Sequence, residues 1–310
     1  MSIVNTDIPM NSARCTTALA ELIRDFPFFR RERLGFSVYG RPIDALILGR
    51  GERRVMYSAA HHANEWITTP VLLKFAEEVG NALRAGGQIQ DVPASDLLDA
   101  ATIYLVPMVN PDGVDLVTGA IPPGSREYES ARNMASFYPE IPFPSGWKAN
   151  LRGVDLNLQY PAGWEQARQI KFSQGYTRPG PRDYVGTAPL TQPEALALAQ
   201  YTQRINPALV LAYHSQGQVI YWQFESHVVP GARELGEEFA RVSGYALEDT
   251  PYNSSFAGYK DWFIQNFRRP GFTIEAGSGE NPLPITEFDS IYRDNLGILV
   301  TAAMGLPGGA

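Results

Sequence analysis

Residues 54–60, Arg-Val-Met-Tyr-Ser-Ala-Ala, run straight into His61-His62-Ala63-Asn64-Glu65-Trp66. The first seven read as a strand, and the histidine and carboxylate that follow are three residues apart. On one helical turn or a tight loop such an i, i+3 pair faces the same way. It then presents an imidazole nitrogen and a carboxylate oxygen to one divalent ion at roughly 2.0–2.2 Å. The stretch reads as half of a metal site placed where a strand ends.

A third ligand has one good candidate. The chain has four histidines, at 61, 62, 214 and 227, and His214 closes the apolar strand-like run 208–214. His62, Glu65 and His214 form a His2Glu set, which in catalytic zinc sites leaves the fourth position to water or substrate. The zinc-helix pattern HExxH is absent. Taken alone, a His-x-x-Glu pair also suits a surface hydrogen bond or a half-buried polar pair, so the surrounding order of elements has to decide.

Strand-like runs at 45–48, 54–60, 103–109, 208–214, 219–223 and 272–276 alternate with helical patterns at 68–84, 193–206, 231–244, 258–267 and 287–304. This alternation predicts an α/β layered sheet. Thr191-Gln192-Pro193-Glu194 reads as a capping box with proline early in the helix. His62 and His214 follow strands at their carboxyl ends, where open α/β sheets place ligands. Residues 112–186 are long, Pro/Gly-punctuated and aperiodic, and are expected to wall a substrate cleft.

Further segments appear in order: Asn110-Pro111-Asp112-Gly113, Gly153-Val154-Asp155-Leu156-Asn157, Thr191 to Glu194, Tyr213-His214-Ser215 and Phe272-Thr273-Ile274-Glu275. Together with the histidine stretch they resemble the zinc carboxypeptidases, over about residues 40–305. The resemblance implies a single-domain three-layer α/β/α fold with a mixed, mostly parallel twisted sheet, spanning 1–310 with 1–40 as a lead-in. It implies one Zn2+ on His62, Glu65 and His214, Glu275 as the carboxylate that activates water, and Asp155 orienting the first histidine.

One position departs from that family. True carboxypeptidases follow the Asp-x-Asn segment with an arginine, whose planar guanidinium grips the substrate's terminal carboxylate. Here Asp155-Leu156-Asn157 is followed by Leu158, which cannot. The segments 147–165, 61–70 and 267–284 resemble a particular branch, the γ-D-glutamyl-diamino-acid endopeptidases that cut bacterial cell-wall peptides. That resemblance implies a muropeptide substrate such as L-Ala-γ-D-Glu-meso-diaminopimelate.

A developing oxyanion needs a positive partner besides the metal. Lys148, which stands where the family usually has arginine, and Arg152 both qualify. A pocket for diaminopimelate, which carries two carboxylates and an amine, is expected to draw on Asn157, Leu158, Arg268 and Arg269. Tyr252 and Tyr259 both lie where the family carries a mobile tyrosine, and spacing does not choose between them. His61 is expected to neighbour the site rather than ligate.

With 310 residues, 44% hydrophobic, and a mean hydropathy of −0.20, the chain suits one sizeable core, and no linker or repeat divides it. A net charge of −7 argues against nucleic acid and against a membrane surface. No stretch approaches the ~20 apolar residues that span a bilayer. No secretory pattern opens the chain, and Cys15 is the only cysteine. A cytoplasmic enzyme acting on soluble muropeptides is the expectation, the first forty residues leaving no room for a wall-binding repeat. Two other readings stand beside it: a carboxypeptidase or amidase for ordinary peptides or N-acyl amino acids, and a non-catalytic module that binds peptidoglycan peptides. Oligomeric state is not legible.

Overall fold

Alternation along the strands decides which side chains reach which layer. In the computed structural model, which describes residues 2–306, Val55, Tyr57 and Ala59 of strand β3 (Arg53–Ala59) enter one apolar cluster, while Met56 enters another on the opposite face. Strand β5 (Leu209–His214) does the same, with Leu209, Leu211 and Tyr213 on the first face and Val210 and Ala212 on the second. A period of two forces this, and both faces of a central strand must then be covered.

Beside a short hairpin of Gln88–Ile89 and Val92–Pro93, the remaining strands of the main sheet are β1 (Arg30–Phe36), β2 (Pro42–Gly49), β4 (Ala101–Val106), β6 (Val219–Tyr221), β7 (Ala246–Glu248) and β8 (Gly271–Glu275). The eight form one sheet in the order β1-β2-β4-β3-β5-β8-β6-β7. The central run β4-β3-β5-β8 is parallel throughout. The flanks add antiparallel pairs at β1/β2, β2/β4 and β6/β8, and a parallel pair at β6/β7. The sheet is therefore mixed with a parallel centre.

Helices α1 (Ser12–Asp25), α2 (Thr68–Ala85), α3 (Ala94–Ala100), α8 (Ala232–Ser243) and α10 (Phe288–Met304) cover the first face. Phe239 of α8 meets Phe272 of β8 edge to face at 4.9 Å, a geometry worth about 0.5–1.5 kcal/mol beyond burial. Helices α6 (Trp164–Ser173), α7 (Pro193–Ile205) and α9 (Tyr259–Phe267) cover the second. The result is a single three-layer α/β/α domain.

Three sequence expectations change. The stretch 112–186 is not aperiodic throughout: it holds the end of α4 (Pro111–Val117), α5 (Arg126–Ala135) and most of its length in loops around α6. Strand β1, strand β7 and helices α1 and α3 were not expected. The capping box at 191–194 does not form. Gln192 is the N-cap residue of α7 and makes no side-chain cap bond. Thr191 instead donates its hydroxyl and its N–H to Gln159 Oε1. Glu194 turns inward to accept from the Val38 N–H and Asn150 Nδ2, where burial pushes its carboxyl up to about 7.

The segment 110–113 positions the metal loop. Asn110 caps α4 by accepting the Gly113 N–H at 3.1 Å, and its amide donates to the carbonyls of His61, Lys148 and Ala149. A Cβ on Gly113 would come within 2.6 Å of the Ala149 carbonyl and 2.8 Å of the Ala63 side chain. Only glycine lets α4 approach both loops this closely.

Candidate metal centre and active site

Strand β3 ends in a tight turn. Ala60 takes a positive φ of 51°, its N–H donates to Thr68 Oγ1, and residues Ala63–Glu65 form one turn of 3-10 helix. That turn puts His62 and Glu65 on one side. On β5, His214 has the parity of Val210 and Ala212, so its ring leaves the sheet on the α7/α9 face. On β8, Glu275 pairs in register with His214 and shares that face. Four chemistry-bearing side chains thus meet at the carboxyl ends of three adjacent parallel strands.

Both histidines turn Nδ1 inward. His62 Nδ1 is 2.9 Å from Glu65 Oε1, His214 Nδ1 is 2.8 Å from Glu65 Oε2, and the two Nδ1 atoms are 3.2 Å apart. The far nitrogen of His62, Nε2, lies 3.1 Å from Asp155 Oδ1. With that proton committed to Asp155, Nδ1 of the neutral ring offers a lone pair to a point where carboxylate and imidazole lone pairs already converge. A cation resolves this crowding, and the donor set of two imidazoles and one carboxylate fits a divalent ion of zinc's preferences.

The electrostatics are those of a tightly paired cluster. Against burial, His62, Lys148 and His214 hold the Glu65 carboxyl well below its ordinary value. Against burial, Glu65 and Asp155 lift the His62 imidazole to about 9 in the metal-free site. Asp155, also buried, is kept low by His62 and Lys148, and it accepts further bonds from the Asn157 and Asp183 N–H groups. Burial raises the Glu275 carboxyl, with His214 opposing and Glu65 reinforcing. His61 stays neutral, lowered by burial and then by His214 and His62, with Nε2 3.2 Å from the Tyr160 hydroxyl.

A cavity of about 190 Å³ opens beside the cluster, lined by His62, His214, Asp155, Asn157, Leu158, Lys148 and Glu275 among others. Lys148 Nζ lies 3.0 Å from Glu65 Oε1, and Asn157 Oδ1 accepts the Tyr259 N–H at the wall. Arg152 is not brought there: it is exposed, and its backbone N–H binds Asn150 Oδ1. Neither Arg268 nor Arg269 lines the cavity. Arg268 pairs with His227, and Arg269 holds the carbonyls of Asn206 and Pro207 beyond α7. Tyr259 is fully buried with its hydroxyl bound to Thr202 Oγ1, so the mobile-tyrosine slot cannot be its place. Tyr252 is 64% exposed and lines a neighbouring cavity with Thr250 and Phe256.

Several lining residues escaped the sequence reading: Lys171, Arg182, Asp183, Tyr221, Lys260 and Thr273. Thr273 was accessible in principle, since it shares the parity of Glu275. Arg182 and Asp183 lie in a loop whose only signal is a charged pair among prolines and glycines.

Two imidazoles and one carboxylate gathered at the strand ends of an α/β sheet are a donor set of the kind found in zinc-dependent hydrolases. The zinc carboxypeptidase model of peptidase family M14 matches residues 16–297, and the chain belongs to that family of peptidases. It is 48% identical over 280 residues to gamma-D-glutamyl-L-diamino acid endopeptidase 1 of Lysinibacillus sphaericus, covering 89% of this chain and 67% of that one. Among solved structures it resembles carboxypeptidase A from Helicoverpa armigera, with a TM-score of 0.70, 20% identity, and coverage of 98% and 76%. It also resembles murein-tripeptide amidase MpaA from Escherichia coli O157, with a TM-score of 0.55, 20% identity, and coverage of 90% and 93%.

One expected outcome concerns the support behind His62. If His62 is a zinc ligand, Asp155→Asn is expected to weaken zinc binding by about 10–100-fold, because a carboxylate on the far imidazole N–H fixes the tautomer and raises ligand basicity. Competition against a chromogenic chelator measures it; an unchanged affinity removes Asp155 from that role.

Proposed function

We propose that this chain hydrolyses the amide between the γ-carboxyl of D-glutamate and a diamino acid, meso-diaminopimelate or another L-diamino acid, in cell-wall peptides. The observation that carries the reading is the 48% identity to an endopeptidase of that specificity across 89% of the chain.

In this reading His62, Glu65 and His214 hold the zinc, with Asp155 fixing the first ring. When bound, zinc supplies Lewis acidity, lowering the pKa of water toward ~7 and polarising the scissile carbonyl. Glu275 takes the proton from the attacking water and returns it to the leaving amine nitrogen. Burial raises this carboxyl above its ordinary value, the direction that helps a base also return its proton. Lys148 brings a fixed positive charge to the developing oxyanion. The leaving group is the diamino acid.

Incubation of L-Ala-γ-D-Glu-meso-diaminopimelate with zinc-loaded protein is expected to release free diaminopimelate and the L-Ala-D-Glu dipeptide, seen by mass spectrometry, and chelation is expected to abolish both. An intact tripeptide beside rapid trimming of ordinary L-peptides would overturn the reading. A cytoplasmic location belongs to the same proposal, supported by Cys15 being the sequence's one cysteine, so that no intrachain disulfide can form. Among the described residues no helix is long and apolar enough to cross a membrane.

A further inference from the structure

The small cavity shares a wall with a second of about 590 Å³, and the shared residues are Lys148, Arg182, Tyr221 and Glu275. The larger one opens between 140–146 on one side and Ser215, Gln216, Glu280 and Asn281 on the other. With Lys148 and Glu275 at the bond being cut, each half of the substrate occupies one cavity. A single leaving diamino acid suits the smaller, and the L-Ala-D-Glu acyl half suits the larger.

Linkage through the γ-carboxyl leaves the α-carboxylate of D-glutamate free, a short aliphatic tether away from the scissile carbonyl. A carboxylate taken out of water there needs a cationic hydrogen-bond donor. Lys148 and Arg182 are the two cations lining the larger cavity, whose far rim carries the like charges of Glu140 and Glu280. Lys148 is already committed at 3.0 Å to Glu65.

Arg182 is held but not used up. Its Nε donates to Asp183 Oδ2 at 2.6 Å, while neither Nη atom has a hydrogen-bond partner among the described residues. Asp183 is itself fixed, its other oxygen 2.7 Å from Lys171 Nζ and its N–H bound to Asp155 Oδ2 at 3.2 Å. The guanidinium is thereby anchored at Nε, which leaves the two-pronged Nη end that matches a carboxylate unpaired on a residue that lines both cavities.

The geometry points to Arg182 as the residue that recognises γ-linked D-glutamate, by pairing its terminal guanidinium nitrogens with the free α-carboxylate. This deepens the proposed function and rests on it. A peptide whose residue before the scissile bond lacks an acidic side chain offers no carboxylate at this place, so the same contact discriminates against it.

The test uses the zinc-loaded full chain and two tripeptides of one shape: L-Ala-γ-D-Glu-meso-diaminopimelate and its counterpart with the glutamate α-carboxylate converted to carboxamide. Wild type is expected to favour the carboxylate by about tenfold or more in kcat/KM, the scale of a charge-assisted hydrogen bond. Arg182→Gln is expected to lower turnover of the carboxylate peptide by about 10–100-fold and of the amide by less than about threefold, collapsing the preference. Arg182→Lys keeps the charge and is expected to keep part of the preference, which carries the test if the glutamine variant folds poorly. Equal turnover of both peptides by wild type, or an equal loss on both in Arg182→Gln, overturns the assignment alone. A wild type that cuts neither overturns it together with the substrate reading.

Discussion

Glu275→Gln is expected to lower kcat/KM on the γ-D-glutamyl tripeptide by about three to four orders of magnitude, the upper range for loss of a positioned acid–base group, while zinc stays bound at one per chain. The reasoning starts from register. Glu275 stands opposite His214 on the neighbouring parallel strand, so its carboxyl lies beside the donor set without being one of the three convergent ligands. Glutamine keeps the shape and removes the proton-accepting oxygen pair. Because burial already opposes the charged form of this carboxyl, the neutral replacement is not expected to lower the thermal unfolding temperature. Metal analysis and steady-state kinetics on one preparation check both halves. A variant within tenfold of wild type would remove Glu275 from the chemistry, and one that loses zinc would make it a ligand.

The second large effect falls on the metal. His214→Ala removes one of the three proposed protein donors, and zinc affinity is expected to drop about a thousandfold. That is one ligand's share, about 4 kcal/mol, of a binding free energy on the order of 10–16 kcal/mol. Activity at limiting zinc falls with it. His61→Ala is the discriminating control. Its ring lies 5.6 Å from that of His214, centroid to centroid, yet its Nε2 faces the Tyr160 hydroxyl rather than Glu65. It is expected to hold zinc within a few-fold of wild type. Chelator competition measures both, and a larger loss in His61→Ala than in His214→Ala would reverse the ligand assignment.

What could be read before the fold was known follows a physical pattern. The six expected strands overlap strands in the sheet, the largest overshoot being the three residues by which 103–109 runs past Val106. Apolar runs ending at His61 and His214 announced strand ends, and a parallel sheet gathers its strand ends on one edge, so distant residues became neighbours by topology alone. Helix α1 was legible and passed over: its buried Cys15, Ala18, Leu19 and Leu22 fall at the spacing of one helical face. Helix α5 was not, since REYESARNMA buries only Ala131 and Ala135 and leaves no apolar stripe to see. Strand β1 is an edge, charged over its first four residues and exposed at Arg30, Arg33 and Phe36, without the apolar run that marked the central strands. The cations of the cleft were hidden for a different reason. Arg182 and Lys171 face the cavity through loop geometry and a helix end, and no periodicity encodes either. The four cationic candidates drawn from motif spacing reduced to Lys148, because spacing locates a residue along the chain and says nothing of which way a loop turns it.

The measurement that most directly tests the account sets two isomers against each other in one reaction: L-Ala-D-Glu-meso-diaminopimelate joined through the γ-carboxyl, and the same tripeptide joined through the α-carboxyl. They share mass, charge and leaving group, and differ only in which carboxyl forms the scissile amide. Chromatographic separation followed over time with zinc-loaded protein is expected to show the γ-isomer consumed and free diaminopimelate rising with it, while the α-isomer persists. Consumption of the α-isomer at an equal or greater rate would contradict the account, and the protein would then be a peptidase of ordinary linkages.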